Sequence, residues 1–381
     1  MINKKIIHIN ELDEKAYNHL GINLKSYLTR YVDIDNRKNE EDKDKEKEKL
    51  NIVSKIYSND EAKSLGLNKK YPYEEIFFTE SLNEKIDNLN NKKDEDEIKK
   101  ELKEETKKEI KDLEEYTYIN IQNKDVLVDE INIEAKENEV KNIFIELNGD
   151  SKEKELIELY RDLKINVYSD NGNINIIYVI KNSNTFSLDN IYLEAKNQGV
   201  INFKYIILGE TKGNFRNISR VFEDSKVLVS GIYFLSKNSS LDFMYEGILE
   251  EERAHSEFIF DGILLGNSTK TSKDILRFKN GAKGSIGIEK ENILMLSNDA
   301  SSKTAPILLS EEEDIVGEHG YSLEALNRDK IFYLESRGLT KDEANTLIIL
   351  SKLGKVFGDL KDNIFEKQYK EITQYIKKEM K

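Results

Sequence analysis

The chain has 381 residues, of which 35% are charged, and a formal net charge of −14; that acidity argues against nucleic acid or an anionic membrane surface as the main partner. It has no cysteine, which excludes disulfides, thiolate nucleophiles and thiolate-held clusters within the chain, and leaves His, carboxylate or water as its own metal ligands. No segment approaches the roughly 20 apolar residues of a membrane span, and the apolar part of residues 1–8 is too short for a signal peptide, so cytoplasmic residence is expected.

The length predicts two or three packed units. Residues 1–115 read as a helical region with charged linkers. Leu12, Tyr17, Leu20, Ile22, Leu24, Tyr27, Leu28 and Tyr31 fit one or two helices around Gly21. Residues 39–49 contain only polar and charged side chains and form a solvated linker or helix extension. The aromatic cluster of Tyr71, Tyr73, Phe77 and Phe78 is expected to pack on the main body as ordinary core. In the charged block 92–115, Ile98, Leu102, Ile110 and Leu113 share roughly one face, which predicts a narrow amphipathic helix.

From residue 116 the period changes. Short β-branched and aromatic runs at 118–121, 142–147, 174–180, 200–208, 226–235 and 241–245 predict strands. Asn- and Ser-rich stretches at 181–184 and 237–240 predict turns between them. Leu156, Ile157, Leu159, Tyr160 and Leu163 suggest an interrupting helix over 152–163. Many short strands without intervening helices mean a sandwich, a barrel or a β-solenoid; the period does not choose, and no strict repeat is present. After Ser322 helices return. One over 323–337 ends at Gly338, a residue suited to a left-handed cap, and Thr340 with Glu343 forms a capping-box signature that opens the next. That helix carries Ala344, Leu347, Ile348 and Leu350, and the last carries Phe365, Tyr369, Ile372 and Ile376.

Catalytic signatures are absent from the sequence. The segment Gly266-Asn267-Ser268-Thr269-Lys270-Thr271 lacks the second glycine and the spacing of a phosphate loop. No G-x-S-x-G elbow occurs, and His8, His19, His255 and His319 have no spacing that pairs them on one helix face. Carboxylates are too plentiful to single out a catalytic pair. A lone histidine such as His319 is by default a structural or surface residue, and the run Glu311–Asp314 reads as a solvated turn able to attract a cation weakly.

One region carries a resemblance. Asn292-Ile293-Leu294-Met295-Leu296-Ser297 matches an N-x-L-L-L-S strand, and Ala300 with Pro306 and Leu308 matches the segment after it. Asp314-Ile315-Val316 with His319-Gly320, then Tyr333-Leu334, Ser336-Arg337-Gly338-Leu339 and Glu343-Ala344, follow in order. These blocks resemble the SufB/SufD family of iron–sulfur cluster assembly proteins, the SufD branch in particular. The resemblance implies a mainly β fold, a right-handed parallel β-helix core flanked by N-terminal and C-terminal helical regions, divided here as 1–115, 116–321 and 322–381.

The function it implies is that of a non-catalytic scaffold subunit. Its implied partners are a SufB-like protein, met through the β-helix edge, and a SufC-like ABC ATPase, met through helices around 339–356, with a homodimer as a further state. No cofactor would be held stably by this chain alone; an iron–sulfur cluster would be shared transiently with the partner, and ATP would enter only through the ATPase. His319 matches the family histidine that faces a SufB cysteine at that seam, where imidazole can replace thiolate on iron. Departures from the family are Glu318 before the histidine, Tyr321 after Gly320, Gly320 and Glu291 where SufB-like members carry glutamate and cysteine, and a shortened 281–287 stretch. Two rival readings are a structural solenoid paralogue that has lost the site and a β-helix carbohydrate enzyme.

Overall fold

The computed structural model describes residues 4–8, 26–31, 52–57, 107–112, 117–123, 126–149, 159–325, 328–357 and 363–379. Strands β1 (Lys4–His8), β2 (Ser26–Tyr31) and β3 (Ile52–Tyr57) form an antiparallel sheet. Strand β4 (Lys107–Asp112) lies antiparallel to β5 (Thr117–Asn123). The described parts of residues 1–115 are therefore strands: Tyr27, Leu28 and Tyr31 sit in β2 and Ile110 in β4, where the apolar spacing suggested helix. The aromatic cluster at 71–78, the linker at 39–49 and the rest of the 92–115 block lie outside the described residues.

From β5 onward the chain winds as a parallel β-helix with two walls. The first wall stacks β5, β7 (Val140–Gly149), the leading halves of β9 (Asn173–Lys196) and β10 (Val200–Val221), then β11 (Lys226–Leu235), β13 (His255–Leu264), β15 (Ser285–Met295) and β17 (Ile315–Ala325). The second stacks β6 (Val126–Ala135), β8 (Leu159–Asp170), the trailing halves of β9 and β10, β12 (Ser240–Leu249), β14 (Thr269–Phe278) and β16 (Ser301–Ser310). Neighbours are in register along each wall, so a side chain on one turn stacks directly on its counterpart in the next, about 5 Å away.

Several expectations change in this frame. Residues 159–163 belong to β8 and not to a helix; Leu163 is buried because β8 turns alternate residues inward. Residues 181–184 make no turn, because β9 runs unbroken from one wall to the other. Its neighbour β10 does the same with a register shift between Gly209 and Thr211. The turn at 237–240 is present, with Lys237 at φ 56°. Other wall-to-wall corners use Asn138, Asn171, Asn197 and Asp224 in the left-handed region, which the short Asn and Asp side chains tolerate by bonding locally.

Inside, Leu163, Ile165, Val167, Ile174 and Ile176 give way to a ring stack that includes Tyr178, Phe203, Tyr205, Phe243, Phe258 and Phe260. Phe203 and Tyr205 have centroids 4.7 Å apart and Phe258 and Phe260 4.6 Å, spacings at which ring contacts add to area burial. Gly262 is required there: a Cβ on it would lie 2.2 Å from the Tyr233 ring. Outside, Asn142, Asn175 and Asn202 form an amide ladder with bonds of 2.8 and 2.7 Å.

Three helices close the chain: α1 (Arg328–Ser336), α2 (Lys341–Phe357) and α3 (Asn363–Glu379). The first begins later than its sequence suggests, because Leu323 to Ala325 still extend β17. Gly338, at φ 94°, ends α1 with bonds from Gly338 N–H to Glu335 and Leu339 N–H to Leu334, the paired pattern of a left-handed cap. Thr340 opens α2 as expected, with its N–H donating to Glu343 at 2.8 Å and the Glu343 N–H donating back at 3.3 Å. Ile349, Ile372 and Ile376 pack on the outer side of the first wall, against Ile206, Ile232, Phe234 and Ile263. The α2 stripe is thus spent largely on the side of the solenoid, and Lys352 fixes it with a 2.8 Å bond to Asp261.

Candidate functional site at the open end of the solenoid

The solenoid ends at β17, and among the described residues no strand pairs with its far side. Its residues 315, 317, 319, 321 and 323 stand in register over 285, 287, 289, 291 and 293 of β15, the row that faces the lumen. Ile315 packs on the lumen core, and Tyr321 is raised in pKa by burial and by the nearby charges of Glu291 and Asp274. That row therefore looks into the mouth of the lumen. His319 belongs to it: it is exposed and stands directly over Glu289.

Below the mouth the lining turns from rings to charges. Lys270 and Glu291 form an ion pair with side chains 1% and 4% exposed. Tyr233 donates to Glu291 at 2.9 Å and Thr304 at 3.1 Å. Glu291 thus accepts three bonds and neither of its oxygens is left bare. Ser272 bonds Asp274 alongside. Burial, opposed by the Lys270 charge and assisted by that of Glu291, raises Asp274. Burial and then the Asp274 charge raise Glu289 well above the ordinary carboxyl range. Glu289 is 3% exposed and, among the described residues, neither of its oxygens has a hydrogen-bond partner.

The structure brings His319 to this end. His255 sits at the start of β13, bonded to Glu257 at 2.8 Å; His8 is the last residue of β1, and His19 lies outside the described residues. The segment 266–271 forms the corner into β14, with Lys270 turned inward to Glu291 and not available to a phosphate. The run Glu311–Asp314 is a largely exposed turn before β17, as expected. Sequence reasoning missed the charged layer. Its signal was present: Glu289 and Glu291 share the parity of Gly287 and Ile293, which puts two acids on an inward row.

Among the described residues no three His, Asp or Glu side chains converge as metal ligands. What the end offers is one imidazole and one bare carboxyl beside an unpaired strand edge. No described helix is long and apolar enough to cross a membrane.

The SufBD core domain of the SUF system for iron–sulfur cluster assembly matches residues 118–352, from β5 into α2. The chain is 27% identical over 139 residues to the iron–sulfur cluster assembly protein SufD of Bacillus subtilis, a stretch covering 36% of this chain and 31% of that protein. It is 26% identical over 109 residues to the SufBD family protein ycf24 of Galdieria sulphuraria, covering 29% and 49%. Over 128 residues it is 26% identical to a SufBD family protein of Staphylococcus epidermidis, covering 34% and 28%. These alignments span less than half the length of each relative, whereas the core-domain match takes in well over half of this chain. The chain therefore belongs to the SufBD core family of the SUF iron–sulfur cluster assembly system.

Proposed function

We propose that this chain is a non-catalytic, SufD-like scaffold subunit of a cytoplasmic iron–sulfur cluster assembly complex. The observation that carries the reading is the uncovered last strand: β17 offers unpaired backbone together with Val316 and Leu323, both about half exposed. An edge of this kind recruits another strand by backbone hydrogen bonding. In this reading the strand comes from a SufB-like subunit, or from a second copy when that partner is absent. The cluster is cargo of the complex. His319 contributes one imidazole to it from the seam, and the partner contributes thiolate.

The ATPase partner has a separate surface. With Ile349 turned to the solenoid, Phe332 (73% exposed), Tyr333 and Leu347 remain outward on α1 and α2, an apolar surface suited to a SufC-like subunit. ATP acts only there, because this sequence has no phosphate loop of its own.

Co-expression with a SufB-like protein and a SufC-like ATPase tests the assignment. A stable three-component complex is expected, in which His319→Ala lowers the cluster yield and Phe332→Ala/Tyr333→Ala weakens retention of the ATPase. Failure to retain either partner would reject the subunit assignment. One observation favours a second reading, a paralogue that keeps the interface and has lost the site: Glu291, where SufB-like members carry a cysteine, is wholly engaged by Lys270, Tyr233 and Thr304. Under that reading the complex forms and His319→Ala leaves cluster yield unchanged.

A further inference from the structure

We infer that Glu289 is a positioning residue for His319, the two forming a carboxyl–imidazole pair across the last turn of the solenoid. Three observations converge on it. Glu289 and His319 are register partners on adjacent parallel strands, on the inward-facing row. Glu289 is almost wholly buried with both oxygens unbonded, a condition that buried polar atoms rarely keep. His319 is exposed, and the two other acids of this layer are already bonded: Asp274 accepts from Ser272, and Glu291 from Lys270, Tyr233 and Thr304.

Stacked residues at the spacing of parallel strands lie within about 5 Å at their Cα atoms, so rotation about the His319 side-chain torsions brings one ring nitrogen to the Glu289 carboxyl. The ring is then held by its inner nitrogen and its other nitrogen faces out of the mouth. A carboxyl bonded to the far nitrogen of an imidazole fixes its tautomer and orientation, the usual support for a histidine that binds metal. Glu318 on the outside does not compete, because it is taken by Lys290 at 2.9 Å. The pair stands on this geometry alone. Only its purpose, aiming the outer nitrogen at a shared cluster, rests on the function proposed above.

The two parts can be tested separately on the full chain. With four histidines in the sequence, the His319 signals are assigned by loss in His319→Asn, and nitrogen–proton correlation spectra at pH 8 report the ring tautomer. In the wild type the tautomer ratio is expected to be displaced severalfold from that of a free imidazole. Glu289→Leu, a change matched to the apolar column of Phe258 below it, should restore the free ratio, while Glu289→Gln, which keeps an acceptor, should retain most of the displacement. The same free ratio in wild type and Glu289→Leu overturns the pair.

In the co-expressed complex, Glu289→Leu should lower cluster yield about tenfold, with Glu289→Gln close to wild type. A locked tautomer with yield lost in His319→Ala but kept in Glu289→Leu overturns the positioning role. A locked tautomer with yield unaffected by His319→Ala supports the pair and removes His319 from the proposed ligands.

Discussion

Near its N-terminal turns the lumen holds Arg161 and Asp189, joined by hydrogen bonds of 2.7 and 2.8 Å, with Tyr178 donating a third to Asp189 at 3.1 Å. In the last turns three inward carboxyls, Asp274, Glu289 and Glu291, face one inward ammonium, Lys270. The first group matches charges one to one and is sealed on all sides. The second has acid in excess and leaves Glu289 without a partner one turn from an open mouth. A satisfied buried network gains little from anything added to it, whereas an unsatisfied one at an opening gains from whatever completes it. The contrast separates framework from site within one continuous core.

Among changes to the buried charges, breaking the framework pair is expected to cost most. Arg161→Met strands the Asp189 carboxylate among apolar neighbours and should lower unfolding free energy by about 3 to 5 kcal/mol in urea titrations. Arg161→Met/Asp189→Leu should regain most of that, since both charges leave together. A loss below about 1 kcal/mol for the single change would mean that the N-terminal pair is as dispensable as a surface one, and the comparison fails. Lys270→Met should cost less, about 2 to 3 kcal/mol at neutral pH, because Tyr233 and Thr304 still bond Glu291.

Much of this architecture is readable in the sequence and part of it is not, for a physical reason. Strands of the first wall, such as 174–180 and 226–235, are runs of Ile, Val, Tyr and Phe because both of their faces are buried, the inner in the lumen and the outer under α2 and α3. Strands of the second wall read as polar because their outward residues include Lys212, Arg216 and Arg277, and even their inward rows carry Asn217, Ser219 and Asp274. They escape a hydrophobicity pattern, and at 159–163 one of them imitates a helix. His319 was found through its ordered neighbours, not through any spacing of its own. Glu289 was not, because an acid on a strand is ordinary until the register puts it beneath a histidine.

The acid excess also has a pH signature. Burial holds the Glu289 carboxyl up at about 9 against an ordinary 4.5, so the folded state favours the protonated form. Its contribution to stability is full below 4.5 and is lost as pH rises toward 9. Glu289→Gln keeps the neutral shape without the titration. The stability difference between variant and wild type should be near zero at pH 4.5 and grow in favour of the variant, on the order of 2 kcal/mol by pH 6 at about 1.4 kcal/mol per pH unit for one proton. Arg161 and Asp189 supply the control: Asp189→Asn should destabilise at both pH values, because it removes charge from a matched pair. A flat difference for Glu289→Gln would make the two regions electrostatically alike.

The smallest expected effect on folding is at the mouth, and it is the sharpest test of whether the mouth is open. Ile293 and Leu323 occupy the same column on consecutive strands, yet Ile293 is 1% exposed and Leu323 52%. Ile293→Lys buries an ammonium in the wall and should unfold the protein or nearly so. Leu323→Lys leaves its charge in water and should change unfolding free energy by no more than about 0.5 kcal/mol. It should nonetheless abolish association through β17, because an interface core that receives Leu323 cannot desolvate a lysine without a counter-charge. Sedimentation of the chain alone and with a SufB-like partner measures that loss directly. If Leu323→Lys destabilises the isolated chain as severely as Ile293→Lys, the end is capped by the chain's own residues, β17 is an interior strand, and the site proposed here has no mouth through which a partner can reach His319.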